Sequence, residues 1–336
     1  MNKLYLLGDC HLSVSRDWDR EAFNKFIDWF EQQNFGNKEE CELIQLGDVV
    51  EKATNLGDTL ELVAKFFTIV CKKFKTIYLI GGNHDHRLVH EKSQYATQFL
   101  KYIGDSQIEL IFKEQIFHTK NGFHIMALPY RRVEGKILDD YYSNELPEEF
   151  YKTKVDLVCG HVAIKEVKSF YGGINISKFH GKHRAFGHIH TRNGQFKEDY
   201  CGSIFPFKID EDITELPRII KCLTSKGLSN PIEIPQFIKY ENMKFGEKPK
   251  FNKNSNKLVH IYTIHNCKSV QQAKSEYPNI YIRGIEKIQN QINVKTGEKI
   301  ELFITPLDAL NNLIKETGMI IRRKTLSLLK NILETS

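Results

Sequence analysis

Apolar residues recur along the first hundred positions in two alternating rhythms. The runs "LYLL" (4–7), "ELIQL" (42–46) and "TIYLI" (76–80) are short and nearly unbroken, as in strands buried on both faces. Between them, "DREAFNKFIDWFEQQ" (19–33) and "DTLELVAKFFTIVCKKF" (58–74) space their apolar residues for one face of a helix, with Asp58 as N-cap of the second. After residue 107 the pattern turns strand-rich. The segments 108–119, 121–130, 155–161, 184–190 and 194–203 predict strands, "TKNG" (119–122) a hairpin turn and "ELPEEFYKTK" (145–154) a helix. A layered α/β protein is expected, with sheet packed on sheet and helices outside. Neither G-x-G-x-x-G nor a P-loop is present, which argues against a nucleotide-binding doubly wound fold.

The rhythm weakens at 226–257, where Pro, Asn, Lys and Gly predict a linker or irregular crossing after a main domain at 1–225. Residues 258–305 predict a small strand–helix–strand module, from "LVHIYTI", "SVQQAKSEYP" and "IYIRGI". A tail at 306–336 has helical spacing and a basic cluster, Arg322-Arg323-Lys324. It reads as helices packing on the small module or as an amphipathic docking element for a partner. Composition adds little: of 336 residues 41% are hydrophobic and 27% charged, and the net charge of +6 permits a polyanionic partner without demanding one. Seven scattered cysteines without a C-x-x-C pair read as reduced thiols. No run approaches a membrane span, and "MNKLYLLGDC" is too soon polar for a signal peptide, so a cytoplasmic protein without membrane association is expected.

The candidate chemistry sits where strands end. The first three end in Gly8-Asp9, Gly47-Asp48 and Gly81-Gly82-Asn83, followed by His84 and Asp85. Later strand-like runs end in Gly160-His161 and Gly187-His188-Ile189-His190, and His11 lies two residues after Asp9. Ligand sites in open α/β sheets gather at the carboxyl ends of strands. Carboxylates, an amide and imidazoles form an oxygen/nitrogen donor set suited to Mn²⁺, Fe²⁺ or Zn²⁺. The set is too large for one tetrahedral ion, and a two-metal site with a shared carboxylate accounts for it. Any one of these dipeptides alone would be weak evidence; the ordered set carries the reading.

In this order, "GDCH", "GDVV", "GGNHD", "CGH" and "FGHIH" resemble the calcineurin-like metallophosphoesterase superfamily. The resemblance implies a four-layer αββα sandwich with a dinuclear centre. Asp9, His11 and His190 would hold one metal, Asn83, His161 and His188 the other, and Asp48 would bridge. A water between the ions would be the nucleophile, His84 would serve the leaving oxygen, and Asp85 would orient the His84 imidazole. His86 and Arg87 fall outside the signature and would either touch substrate or begin a solvated helix.

Finer features resemble the SbcD-type DNA double-strand-break repair nucleases, including bacteriophage recombination endonuclease subunits. They are "NHD", "FYGGINISKFHGKHRAFGHIHT" and the "YCGSIFPF" that follows. That resemblance implies a Mn²⁺-dependent exonuclease/endonuclease acting on DNA, a small cap at 258–305, and a tail that docks an SbcC-type ATPase. It also implies a homodimer, and host cytoplasm if the protein is viral. Lys165, Lys168, Lys178, Lys182 and Arg184, with Arg131 and Arg132, are candidates for phosphate contact. Cellular members carry His three residues after the bridging Asp; here Glu51 stands there. A stand-alone metallophosphatase or cyclic phosphodiesterase, and a metal-free scaffold, are the alternatives.

Overall fold

A computed structural model describes residues 1–52, 57–89, 92–103, 105–131, 142, 144–165, 173–208, 211, 216–251, 253 and 258–286. Strands β1 (Lys3–Leu7), β2 (Cys41–Gln45) and β3 (Thr76–Ile80) form where the unbroken apolar runs predict them. All three pair in parallel. Every position of β2 and β3 is buried, as expected of a sheet covered on both faces. Side chains alternate across it. Tyr5, Leu7, Leu43, Ile77 and Leu79 meet helices α1 (Asp19–Gln32) and α2 (Thr59–Lys73) on one side. Leu4, Leu6, Ile44, Tyr78 and Ile80 face Ile125, Ala127, Leu157, Cys159 and Ala185 of a second sheet on the other.

Two strands join at His86–Val89 (β4) and Lys92–Tyr95 (β5) in a separate hairpin. The first sheet continues with β6 (Ile108–Ile111), parallel to β3. The second contains β7 (Gln115–His118), β8 (His124–Leu128), β9 (Lys154–Gly160) and β10 (His180–Phe186), in the order β10-β9-β8-β7. Its outer face is covered by Tyr142, Leu146 and Phe150, the last on the helix Glu148–Lys152. The layering is therefore helices, sheet, sheet and an outer cover. No helix among the described residues is long and apolar enough to cross a membrane.

Several expectations are corrected. The segment 108–119 is not one strand but two, β6 and β7, in different sheets. Residues 194–199 turn, and 200–203 contribute a single bridge, Tyr200 to Phe186, rather than a strand; the Arg192 guanidinium holds the segment, its Nε donating to the carbonyls of Lys197 (3.3 Å) and Tyr200 (2.9 Å). His86 begins β4 instead of a helix, its ring edge-on to Tyr95 opposite it in the hairpin. The stretch 226–257 is not a plain linker. After β11 (Ile219–Thr224), antiparallel to β1, come β12 (Gly227–Leu228), β13 (Ile232–Glu233) and β14 (Ile238–Lys244). β14 pairs in parallel with β15 (Val259–His265), which pairs with β16 (Tyr281–Glu286) across the helix Val270–Glu276. Phe237 packs on Phe26 and Trp29 of α1, so the small module shares the core of the first sheet. Residues 287–305 of the expected cap, and the helical tail 306–336 with its expected ATPase docking, lie outside the described residues.

Parallel pairing of β1, β2 and β3, and of β9 and β10, brings their carboxyl ends to one edge of the layers. The turns that leave this edge are compressed. Gly82 approaches Asp48 so closely that a Cβ would lie 2.1 Å from the Asp48 amide nitrogen and 2.2 Å from its Oδ1. Gly47 has φ +98°, and a Cβ there would meet the His161 ring at 2.3 Å.

Two expectations follow from this packing. Phe30 is fully buried against Phe26, Phe35, Phe66 and Phe74, and Phe30→Ala should cost about 3–5 kcal/mol, read from the urea midpoint. Gly82→Ala must push the third turn off the second. It should remove metal uptake while leaving far-UV circular dichroism close to wild type; unchanged uptake would show that the turn yields.

Candidate metal centre

The site is assembled from backbone conformations that side chains other than glycine rarely adopt. His11 (φ 46°), Asp48 (φ 53°) and His188 (φ 77°) are three of the four described non-glycine residues with positive φ. Such conformations cost on the order of 1–3 kcal/mol each and cluster where function demands them. Asp48 fastens the turns together. Its carbonyl accepts from the amides of Cys10 (3.0 Å) and His11 (2.8 Å), and its Oδ1 accepts from the amide of His84 (2.8 Å). Asp9 does likewise for the last motif, taking the His188 amide on its carboxylate at 2.9 and 3.1 Å.

Seven donors predicted from the sequence converge. Nε2 of His11 and Nε2 of His190 face each other at 3.0 Å, and Asp9 Oδ2 lies 3.4 Å from the latter. On the other side of Asp48, His161 Nε2 lies 2.9 Å from Asn83 Oδ1 and 3.3 Å from Asp48 Oδ2. His188 Nδ1 is 3.0 Å from Asn83 Oδ1 and 3.3 Å from His161 Nε2. His11 Nε2 is 3.4 Å from Asp48 Oδ2, so the Asp48 carboxylate stands between the two groups. Asp9, Asp48, His11 and His161 are all at most 1% exposed.

The far nitrogens of three of the rings face partners, which leaves their near ones to aim inward. His161 Nδ1 donates to the Leu46 carbonyl (2.9 Å), and His190 Nδ1 pairs with Glu211 Oε1 (3.0 Å). His11 Nδ1 lies 2.8 Å from Glu51 Oε2, in a direction poor for a hydrogen bond. Lone pairs of several imidazoles and two buried carboxylates directed at shared points suit divalent cations and little else. The charge balance agrees. Burial works to raise Asp48 but is outweighed by His161, His11 and His84, which hold its carboxyl well below the usual range. Burial likewise works against a charged His161, yet Asp48 and Asp9 outweigh it and lift the ring to about 9. Burial, aided by His161, pushes His188 down to about 3. A proton on the His161 ring thus meets a demand for positive charge that metal ions would satisfy.

His84 is half-buried at the rim, its ring edge-on to His11, and its Nδ1 donates to the Glu51 carbonyl at 2.6 Å. Asp85 is placed otherwise than expected. Its carboxylate accepts from the amides of Val50 (3.2 Å) and Gly82 (3.1 Å), tying the third turn to the second instead of gripping the His84 ring. Burial and the neighbouring Asp48 push Asp85 up to about 7.

The basic candidates are dispersed. Arg131 pairs with Glu114 (3.1 Å) next to Tyr130, whose amide donates to Gly81. Lys165 is exposed four residues beyond His161. Lys178 is half-buried in a single helical turn before β10. Lys182 binds Asp156 (2.8 Å) and Arg184 lies 3.9 Å from Asp199, both along β10 rather than at its carboxyl end. They line a cavity of about 490 Å³ with Arg192 and Lys221. Lys168 and Arg132 lie outside the described residues.

Two contributors carry no motif. Gln45 bridges the first two turns, its Nε2 donating to the Gly8 (3.3 Å) and Gly47 (2.7 Å) carbonyls; a buried amide inside an apolar run was its only signal. Glu211 sits in the acidic stretch "KIDEDITELP", where nothing distinguishes it from its neighbours.

The profile of the calcineurin-like phosphoesterase family matches residues 3–192, more than half the chain. No curated protein matches. Among solved structures, a phosphopantetheinyl hydrolase from Mycobacterium tuberculosis is similar at 12% identity and TM-score 0.33, covering 56% of this chain and 83% of its own. A protein of unknown function from Aquifex aeolicus is similar at 16% identity and TM-score 0.29, covering 52% and 83%. With the family profile matched over more than half its length, the chain belongs to the calcineurin-like phosphoesterase family.

Proposed function

We propose that this phosphoesterase is an SbcD-type DNA nuclease subunit that hydrolyses phosphodiester bonds with two divalent ions, Mn²⁺ foremost, and works with an SbcC-type ATPase in recombination or break repair. The observation that carries the hydrolytic part is the face-to-face approach of His11 Nε2 and His190 Nε2 at 3.0 Å beside Asp9. Two imidazole nitrogens with their outer positions turned to carboxylates meet here as they would around a shared cation. The choice of DNA is supported by the segment Tyr200–Ile204, the family's Y-x-G-S-x. Ser203 donates its amide to the His190 carbonyl (3.1 Å) and Ile204 to that of Asp9 (3.0 Å), so the segment brackets the first and last motifs.

Asp9, His11 and His190 would hold one ion, Asn83, His161 and His188 the other, with Asp48 shared. Two such ions supply charge that neutralises the phosphoryl oxygens and acidifies water. The chain supplies the rest. Nδ1 of His84 is committed to the Glu51 carbonyl, leaving Nε2 to carry the proton for the departing oxygen. Arg131 and Lys165, near the site-side ends of their strands, are the basic candidates best placed to meet a backbone phosphate.

The test offers the Mn²⁺-loaded chain linear duplex DNA, single-stranded DNA, an aryl phosphate and a phosphoprotein. DNA cleavage is expected, abolished by Asp9→Ala and by EDTA. Efficient turnover of the aryl phosphate or phosphoprotein with DNA untouched would overturn the nuclease reading, and absence of metal uptake would favour a scaffold. His84→Ala should lower cleavage by roughly 10²–10⁴ while metal content, measured by mass spectrometry, stays at the wild-type level.

A further inference from the structure

Among the described residues of the acidic stretch 208–217, Glu211 places its side chain at the metal centre. It is 8% exposed, and both carboxylate oxygens are engaged. Oε1 meets His190 Nδ1 at 3.0 Å, while Oε2 accepts from the amides of Phe207 (2.9 Å) and Lys208 (3.3 Å). The carboxylate therefore cannot rotate without abandoning one set of partners. The same turn presents Phe207, whose ring lies against those of His190 and His11 at 5.6 and 4.7 Å between centroids.

We propose that Glu211 is a positioning residue that holds His190 with its proton on Nδ1, so that the Nε2 lone pair stays directed at the point it shares with Asp9 Oδ2 and His11 Nε2. A neutral imidazole can carry its proton on either nitrogen, and the hydrogen bond made by one decides the other. Were the proton on Nε2, an N–H would face the cation position and Glu211 would confront a lone pair. Burial makes that mismatch costly. Glutamine is a poor substitute. Its amide must turn –NH₂ either toward the His190 Nδ1 proton or toward the amides of Phe207 and Lys208, so donor meets donor in both orientations. The inference rests on the metal centre and not on DNA as substrate, and it survives if duplex DNA proves uncleaved.

The experiment titrates metal-free wild type, Glu211→Gln and Glu211→Ala with Mn²⁺ by calorimetry, alongside thermal melts of the metal-free proteins. A loss of roughly 10- to 100-fold in affinity at one of two sites, with the other unchanged, is expected. Equal affinities in folded variants would overturn the proposal, as would a melting shift with no affinity change, which is what a merely structural glutamate would give. Should both variants fail to fold, imidazole nitrogen NMR of the Zn²⁺-loaded wild type decides. A proton on His190 Nδ1 supports the assignment, and a His190 ligating through Nδ1 overturns it. Both readouts are independent of cleavage activity, so failure of the nuclease reading and failure of this one are distinguishable.

Discussion

The carboxylate and carbonyl of Asp48 are where the strand ends become one site. One residue in a left-handed conformation accepts from the amides of Cys10 and His11 with its backbone, takes the amide of His84 on one carboxylate oxygen, and sets the other between His161 and His11. Five contacts from three other turns thus depend on a φ of 53° that an unsupported aspartate would seldom hold. The turn is over-determined from outside. Gly82 presses against the Asp48 amide, Gln45 ties the Gly8 and Gly47 carbonyls, and Asp85 fastens the third turn to the Val50 amide. Strain at the ligands persists because every neighbour of the turn is fixed.

What fixes them is the layered core beneath. Strands of five residues buried on both faces cannot slide in register without moving a whole apolar set to the wrong side. Tyr5, Leu43 and Leu79 face the helices while Leu4, Ile44 and Ile80 face the second sheet, so a slip of one residue would exchange the two sets. Register in the sheets therefore fixes the height of each carboxyl end. The geometry needed for donor atoms 3 Å apart is set by packing that lies well away from any ligand.

Legibility in the sequence follows the same division. Strands β1, β2 and β3 and helices α1 and α2 could be read because burial on both faces, or on one helical face, leaves an apolar period. Asp9, His11, Asp48, Asn83, His161, His188 and His190 could be read because glycine-then-ligand recurs at each strand end. The failures were of two kinds. Strand β14 lies on the edge of a small sheet with mixed burial, so its Lys, Glu and Asn resembled a linker. The roles of Asp85 and Glu211 turn on which hydrogen-bond partner lies near in space, and no local pattern encodes that. Asp85 stands beside His84 in the chain yet bonds to Val50 and Gly82; Glu211 is distant in the chain yet bonds to His190.

Glu51 joins these threads. Its carboxylate lies 2.8 Å from His11 Nδ1, and its carbonyl receives His84 Nδ1. Burial works to raise this carboxyl, but the contact with His11 outweighs it and holds Glu51 below its ordinary value, so it stays ionised near neutrality. An ionised carboxylate has no proton to give a leaving oxygen; it can only accept, and here it faces a ligand ring. The orientation of the His84 ring is in turn set by the Glu51 backbone. The pair of contacts is a support and not a proton-transfer step. It ties the first, second and third motifs through a residue that belongs to none of their signatures.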